Sequence, residues 1–240
     1  MSEKSNVLKK FKFVPVLWCL MTAVFIATTT YMAYIVFLRH TSQPGLIPPF
    51  KMSNEPEIVL ALQVTSLLGL ILPIPILRKL RIKLPPVIPA LWIVFIFCTM
   101  FLGEVCGCYH LTHYDKILHA IAAFTIGILG FLVIDLINKP KSVSEMRWPF
   151  VAMFAFGFSF TINVFWEIFE FTMDTIFADS NMQRYMVAPG YPFIGRDALL
   201  DTMLDIIIAA IGASLAVGVV YVCVKRRPNW LERSQLRRDK

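Results

Sequence analysis

Long runs of hydrophobic residues dominate the chain, and short polar stretches separate them. A run of about 20 apolar residues is long enough to cross a hydrocarbon core about 30 Å thick. Six runs reach this length, and they predict membrane-spanning helices at about 13–38, 57–77, 86–105, 116–137, 148–176 and 198–224. Because the connections are short, we expect an all-α polytopic membrane protein in which residues 1–240 form one integral membrane domain, a bundle of about six transmembrane helices.

Composition supports this interpretation, since 57% of the residues are hydrophobic and only 16% are charged. Soluble domains contain about 25% charged residues. The first hydrophobic run follows a lysine-rich start, as in a signal peptide, but it is longer than the 7–15 or so apolar residues of a signal peptide and lacks a small-x-small cleavage site. We therefore expect it to remain as the first helix.

The distribution of basic residues predicts the orientation. The termini and the loops on their side of the membrane hold 18 of the 23 lysines and arginines. The opposite side holds five, which are Arg39, Lys51, Lys116, Arg184 and Arg196. The positive-inside rule then places both termini in the cytoplasm. The net charge of +7 reflects a basic cytoplasmic face beside anionic lipids, so membrane lipids are the expected partners and nucleic acid is not.

Prolines and cysteines add local expectations. Pro73 and Pro75 stand late in span two and should kink or end that helix. The five cysteines do not suggest a disulfide framework, because three of them lie within spans as small packing residues. The longest outer loop, 178–196, contains the stretch "APGYPF" and is either a lid or a plain connector.

Acidic residues concentrate at one end of the predicted bundle. Eight of the 16 lie in or beside the outer ends of spans three to six: Glu104, Asp115, Glu167, Glu170, Asp174, Asp197, Asp201 and Asp205. Carboxylates within spans are costly, so they normally face the bundle interior or water and mark a functional site.

Helical geometry orders these acids into stripes. At about 100° per residue, one stripe of span five, within about 60°, comprises Asn163, Glu167, Glu170 and Asp174. A stripe of span six, within about 80°, comprises Asp197, Asp201 and Asp205. In span four, Asp115 and His119 stand one turn apart in "YDKILH". We expect the three stripes to face one another near the extracytoplasmic end.

Such a cluster has few stable forms. A bound cation can hold it, some carboxyls can be protonated, or Lys116, Arg184 and Arg196 can neutralise part of the charge. With His119 as a ligand beside Glu167, Glu170, Asp201 and Asp205, the metal would be Zn²⁺ or Fe²⁺, and with oxygens alone Mg²⁺ or Mn²⁺.

Other roles remain open for single members of the cluster. Without metal, His119 between Asp115 and Glu167 could relay protons or act as a catalytic base, or it could be a hydrogen-bonded interfacial residue. Asp197 could instead stabilise a helix N-terminus, and Asp174 could lie among the headgroups.

A second possible metal cradle stands between spans three and four. The stretch "EVCGCYHLTHYDKILH", residues 104–119, places Cys106, Cys108, His110 and His113 at C-x-C-x-H-x-x-H spacing. This spacing matches no zinc module known to us, and Gly103 and Gly107 suit a helix end and a turn, so a boundary is the favoured interpretation.

The segments "YDKILH", "WEIFEFTMD" and "LDTMLDIIIAAIGA" together resemble the YjdF-like family of bacterial inner-membrane proteins over roughly residues 100–220. The resemblance implies a helical architecture in a bacterial-type cell membrane. It also implies a set of site positions: Asp115, His119, Glu167, Glu170, Asp201, Asp205 and, structurally, Gly212. Asp197 departs from the family pattern, because Arg196 intervenes and the spacing differs by one. "DKILH" and the acidic helices are more distantly similar to VanZ-like proteins, which are linked to glycopeptide resistance.

Three functions fit these observations. The first is a metal-dependent membrane enzyme acting on a lipid or lipid-linked phosphate at the outer leaflet. The second is a cation- or proton-coupled transporter, and the third is a non-catalytic factor that binds lipid headgroups or a partner. The motif sets of lipid phosphatases and alcohol phosphotransferases are missing from the sequence, although Asp201 and Asp205 share the D-x-x-x-D spacing of the latter.

Overall fold

A computed structural model of the chain describes residues 13–41, 56–79, 82–84, 87–138, 145–176, 182–183, 193–226 and 237–238. Within these ranges the regular structure is helical, apart from two extended segments of two residues each, Ile82–Lys83 (β1) and Arg237–Arg238 (β2). In the described part of the chain, six helices are long and apolar enough to cross a membrane, and their ends lie within three residues of the predicted spans. The all-α class and the expectation of six helices are therefore confirmed.

The chain divides into two compact units, Met1–Cys108 and Tyr109–Lys240. The interpretation of residues 1–240 as one integral domain stays a prediction. All the acidic and histidine residues of the three predicted stripes belong to the second unit.

The first unit is built from apolar helices interrupted at proline. Its helices are α1 (Phe13–His40), α2 (Pro56–Ile71), α3 (Pro73–Lys79) and α4 (Val87–Ile96), which continues into a π-helix at Phe97–Val105. Proline has no N–H with which to continue the helical ladder. The break between α2 and α3 falls directly before Pro73, which confirms the expected interruption of span two.

A polar side chain, that of Gln63, is fully enclosed among the described helices of the first unit. The side chain of Gln63 is 0% exposed, and its Nε2 donates to the carbonyl oxygen of Met100 in the π-helix at 2.8 Å. The hydroxyl of Thr28 donates to Gln63 Oε1 at 3.0 Å. Because both ends of the amide have partners, the cost of burying it among apolar helices is offset.

The second unit consists of three long helices that pack against one another, α5 (Tyr114–Ile137), α6 (Trp148–Ile176) and α7 (Arg196–Arg226). A 3₁₀ turn, Cys108–His110, precedes α5. One end of the unit is filled by an apolar cluster whose buried members are Phe131, Ile134, Val151, Ala155 and Val220. The polar residues described below occupy the other end, where α5 and α7 begin and α6 finishes.

Small residues let α5 and α7 approach at backbone distance. A Cβ atom added at Gly212 would lie 2.5 Å from the carbonyl oxygen of Ala120, and one added at Gly127 would lie 2.7 Å from the Cβ of Ala216. Side chains larger than hydrogen are therefore excluded unless the helices separate. Since Ala120 directly follows His119, this contact helps to hold His119 against the residues of α7.

Candidate metal centre

The first turns of α5 bring three polar side chains to the site. His113, with a left-handed backbone (φ 65°), directly precedes the helix. Asp115 and Lys116 follow in the first turn, and His119 stands one turn later. His119 is buried, with 5% exposure, whereas Asp115 and Lys116 are partly exposed. The helix therefore runs from a more accessible rim to a closed interior.

Lys116 lies at the centre of the acidic side chains of α5 and α7. Its ammonium group contacts Oδ1 of Asp201, lies 3.0 Å from Oδ2 of Asp205, and lies 3.9 Å from Oδ2 of Asp115. The sequence suggested Lys116 only as a neutralising charge, and the structure makes it a direct partner of two predicted metal ligands. Among the described residues, Asp201 belongs to none of the possible metal-binding groups, and its partner is Lys116.

His119 stands between carboxylates of two helices. Its Nε2 lies 3.6 Å from Oδ1 of Asp115, and its Nδ1 lies 3.5 Å from Oε1 of Glu167 on α6. These distances are longer than good hydrogen bonds, which measure about 2.7–3.2 Å for N–H···O. The imidazole is therefore close to both carboxylates without being tightly bonded to either.

Two buried carboxylate oxygens in this region have no hydrogen-bond partner within the described part of the chain, Oε1 of Glu167 and Oδ1 of Asp205. Glu167 is 5% exposed and Asp205 is 3% exposed. Nδ1 of His119 is within ion-pair distance of Oε1 of Glu167, but it is too far away for a good hydrogen bond. A buried acceptor without a donor is costly, so these two oxygens mark a place for a cation or a proton.

The same atoms form two possible ligand groups that share His119. One consists of Asp115, His119 and Asp205, and the other of His119, Glu167 and Glu170. Within each group one ligand atom per residue lies within 4.8 Å of the others. Nitrogen and oxygen ligands lie about 2.0–2.2 Å from Zn²⁺, so the ligand atoms of a tetrahedral site lie about 3.4 Å apart, a spacing that side-chain rotations can provide. The donor set of one imidazole and carboxylates suits Zn²⁺, Fe²⁺ or Mn²⁺.

The polar stripe of α6 faces the interior of the second unit as the spacing predicted, but its members have different partners. Glu170 is half-buried, and its Oε1 accepts a hydrogen bond from Nε1 of Trp166 at 2.7 Å. The amide of buried Asn163 donates to the carbonyl oxygen of Ser159 at 2.8 Å, and the Ser159 hydroxyl donates to that of Ala123 at 2.7 Å. Asn163 and Ser159 thus close the polar interior without joining either ligand group.

Asp174 organises the chain beyond α6. Its two oxygens accept hydrogen bonds from the backbone N–H groups of Met182 at 2.7 Å and Gln183 at 2.9 Å. The side chain of Gln183 donates to the hydroxyl of Thr202 on α7 at 2.9 Å. Asp174 is buried, so its carboxylate is an anchor for this connection, and it belongs to neither ligand group. Most of the predicted lid "APGYPF" and Arg184 lie outside the described residues.

Asp197 stands in the first turn of α7 and is exposed. It lines a cavity of about 330 Å³ together with Asp115, Lys116 and Asp201. The cavity therefore adjoins the buried cluster through Asp115, which also approaches His119. A negative charge in a first helical turn is favourable, so this position is consistent with a stabilising role as well.

The second predicted cradle has the features of a helix boundary. Cys106 ends the π-helix, and Gly107 adopts a left-handed turn (φ 72°). All five cysteines are described, and none forms a disulfide. Cys106 is exposed, and partial burial of its thiol raises the pKa above its ordinary value, with Cys108 adding to the effect. Neither ligand group found among the described residues includes Cys106, Cys108, His110 or His113.

Sequence reasoning undervalued Lys116 and missed Trp166. The signal for Lys116 is that it is the basic residue inside "YDKILH", enclosed by acids on its own and neighbouring helices. The signal for Trp166 is its place four residues before Glu170, which a helix brings to the same side.

Comparison with known proteins places the chain in a family. A family described as predicted membrane proteins, DUF2238, matches residues 16–226, and the chain belongs to this family. A relative from Thermotoga maritima, described as an uncharacterized protein, is 32% identical over 121 residues, which cover 50% of this chain and 54% of the relative. The chain thus spans about half the length of that relative. No solved structure matches.

Proposed function

We propose that this membrane protein binds a divalent cation at His119, in one of the two ligand groups that lie on opposite sides of the imidazole, and that it is a metal-dependent enzyme acting on a lipid or lipid-linked phosphate. The observation that carries the proposal is the pair of buried, unpartnered oxygens, Oε1 of Glu167 and Oδ1 of Asp205, on carboxylates that group with the same imidazole.

Charge balance supports a cation. Five carboxyl groups of the three helices lie together: Asp115, Glu167, Glu170, Asp201 and Asp205. Lys116 is the basic side chain that pairs with them among the described residues, so most of the negative charge has no fixed counter-ion. Uncompensated charges at membrane depth are expensive. A divalent ion would relieve this repulsion, and when bound it would polarise a phosphoryl oxygen or activate water.

Lys116, Trp166 and Asp115 have separate roles around the ligand groups. Lys116 holds Asp201 and one oxygen of Asp205, which leaves the other Asp205 oxygen directed to the cluster. Trp166 donates a hydrogen bond to one oxygen of Glu170, whose carboxylate also belongs to the ligand group of His119 and Glu167. Asp115 touches His119 and lines the cavity, so it is the residue placed to pass a proton between the cluster and a substrate in the cavity.

The location is part of the proposal. The distribution of lysines and arginines favours cytoplasmic termini, and the beginnings of α5 and α7 would then lie at the extracytoplasmic face of a bacterial-type cell membrane. The identification with the YjdF-like family, and the more distant similarity to VanZ-like proteins, are proposed on the segments that contain Asp115, His119, Glu167 and Asp205.

Phosphate release from lipid substrates tests this function. The purified full chain in lipid nanodiscs would be incubated with phosphatidic acid and with polyprenyl diphosphate, with Mn²⁺, Mg²⁺ or Zn²⁺ and with a chelator. We expect turnover that depends on metal and persists in Asp174→Asn. In Glu167→Gln turnover should fall at least about 100-fold, because replacing even a residue that only hydrogen-bonds to a metal ligand costs about 10–100-fold. Turnover of either substrate that survives both the chelator and Glu167→Gln would contradict metal-dependent catalysis at this cluster.

A proton relay is the second candidate, because both nitrogens of His119 face carboxylates, Asp115 on one side and Glu167 on the other. In this case the chain would couple proton movement to transport. Proteoliposomes carrying a pH-sensitive dye would show proton flux in the presence of chelator that is lost in His119→Gln. Flux equal in the wild type, in His119→Gln and in empty liposomes would exclude the relay.

A further inference from the structure

The cavity beside the cluster carries a net negative charge, which would repel inorganic phosphate or a purely anionic headgroup. Three of its lining residues are acidic, Asp115, Asp197 and Asp201, and one is basic, Lys116. These four side chains together carry a formal charge of −2. A cavity of this sign attracts cations and repels anions.

The acids of the cavity are not equally available. Asp201 contacts Lys116, and Asp115 is shared between Lys116 and His119. Asp197 stands at the beginning of α7 and is the exposed acid among the three. Asp197 is therefore the acid best placed to receive a positive group that enters from outside.

Aromatic and apolar side chains complete the walls. Tyr109 and Phe193 line the cavity, and the Tyr109 ring is held edge-on by Tyr114 with centroids 5.6 Å apart. Aromatic faces beside a carboxylate are the chemistry that recognises organic ammonium groups. Leu111 and Leu200 also line the cavity and are 61% and 47% exposed, so its rim is apolar and open, as a lipid-facing entrance would be.

We propose that this cavity binds the headgroup of an amine-bearing phospholipid, with the ammonium group beside Asp197 and the phosphate towards Asp115. The phosphate position rests on the proposed function, because only a bound cation would make the Asp115 end attractive to phosphate. The ammonium position does not rest on it. The volume of about 330 Å³ is at the lower end of the usual range for ligand sites, about 300–1,000 Å³, which suits a headgroup with its acyl chains left outside.

Lipid binding by the purified full chain tests the proposal without metal. Native mass spectrometry in the presence of a chelator would compare phosphatidylethanolamine with phosphatidylglycerol of the same acyl chains. We expect a preference for phosphatidylethanolamine that falls about fivefold in Asp197→Asn, since an accessible ion pair contributes up to about 1 kcal/mol. In Asp197→Lys the preference should reverse. Glu145→Gln, at the other end of the second unit and outside the cavity, is the matched control and should bind as the wild type does.

The outcomes separate this inference from the proposed function. An unchanged preference in Asp197→Lys, in protein with wild-type helical circular dichroism and wild-type metal content, would overturn the headgroup site alone. Competition by soluble phosphoethanolamine as strong as that by the lipid would overturn the lipid as the occupant. A wild-type protein that binds no metal but still prefers phosphatidylethanolamine would overturn the metal-dependent function and leave the headgroup site standing.

Discussion

The ammonium group of Lys116 lies 3.0 Å from Oδ2 of Asp205, while Oδ1 of the same carboxylate is buried without a hydrogen-bond partner among the described residues. The two oxygens of one side chain therefore have different roles. One is fixed by a neighbouring base, and the other is presented to His119 and Asp115. A carboxylate held in this way keeps its orientation, which is what a metal ligand requires from its surroundings.

Removing the base should destabilise the protein. In Lys116→Met, Asp201 and Asp205 lose their partner while they remain buried or partly buried, and breaking such a pair costs about 3–5 kcal/mol. We expect the thermal unfolding midpoint in detergent to fall, and to recover partly when Mn²⁺ or Zn²⁺ is added. Lys225→Met, which removes an exposed lysine stacked on Tyr221, should change stability by less than about 1 kcal/mol. Equal losses in the two variants would contradict the role given to Lys116.

The contact between α5 and α7 predicts a contrast between two glycines of α7. Gly212→Ala places a Cβ 2.5 Å from the carbonyl oxygen of Ala120, so the helices must separate, which costs about 1–3 kcal/mol. Gly218→Ala meets no atom within 4 Å and should be neutral or stabilising by up to about 1 kcal/mol, because alanine favours the helix. Thermal unfolding of both variants measures the difference. A Gly212→Ala protein as stable as Gly218→Ala would show that the helices do not touch there.

Asp174 should matter for stability and not for metal. Asp174→Ala leaves the backbone N–H groups of Met182 and Gln183 without their acceptor, which costs about 1–3 kcal/mol for a buried group. We expect a lower unfolding midpoint with unchanged metal content. Thr175→Ala, at the neighbouring exposed position, is the control and should leave both quantities unchanged. A lower metal content in Asp174→Ala would instead place this carboxylate in the metal site.

The thiol of Cys106 should react slowly at neutral pH. Cys106 is exposed, but the partial burial of its thiol disfavours the charged thiolate and raises the pKa, so the reactive fraction is small at pH 7 and grows as the pH rises. With the other four cysteines replaced by serine, the rate of labelling by iodoacetamide should rise about tenfold per pH unit between about pH 7 and 9. It should stay below the rate of free cysteine at each pH. A rate that is already constant above pH 7 would mean that the pKa of Cys106 is lowered.

The helices could be predicted from the sequence because their signals are local. Each span is a long apolar run, and the break before Pro73 follows from the missing N–H of one residue. The stripe of α6 was predictable in the same way, since helical periodicity alone places Asn163, Glu167 and Asp174 on one face, and all three are buried.

The pairing between stripes could not be predicted, because it depends on the relative rotation and depth of α5, α6 and α7. Lys116 contacts Asp201 and His119 approaches Glu167 because of the way the three helices pack, with α5 and α7 in close contact at Gly212. No spacing within one helix specifies these partners. Asp174 shows the same limit. Its stripe position was correct, but its partners are backbone groups of a connection whose path the sequence pattern does not specify.

The metal content of the purified protein tests the central claim most directly. Elemental analysis of the full chain after equilibration with Zn²⁺ or Mn²⁺ and removal of free ion would compare the wild type with His119→Ala, Glu167→Ala and Asp174→Asn. We predict about one ion per chain in the wild type and in Asp174→Asn, and a loss of most of it in His119→Ala, because both ligand groups contain His119. A similar loss in Glu167→Ala would assign the ion to the group of Glu167 and Glu170, and retention there would assign it to the group of Asp115 and Asp205. A well-folded wild-type protein that retains no ion, or a His119→Ala variant that retains as much as the wild type, would contradict the account.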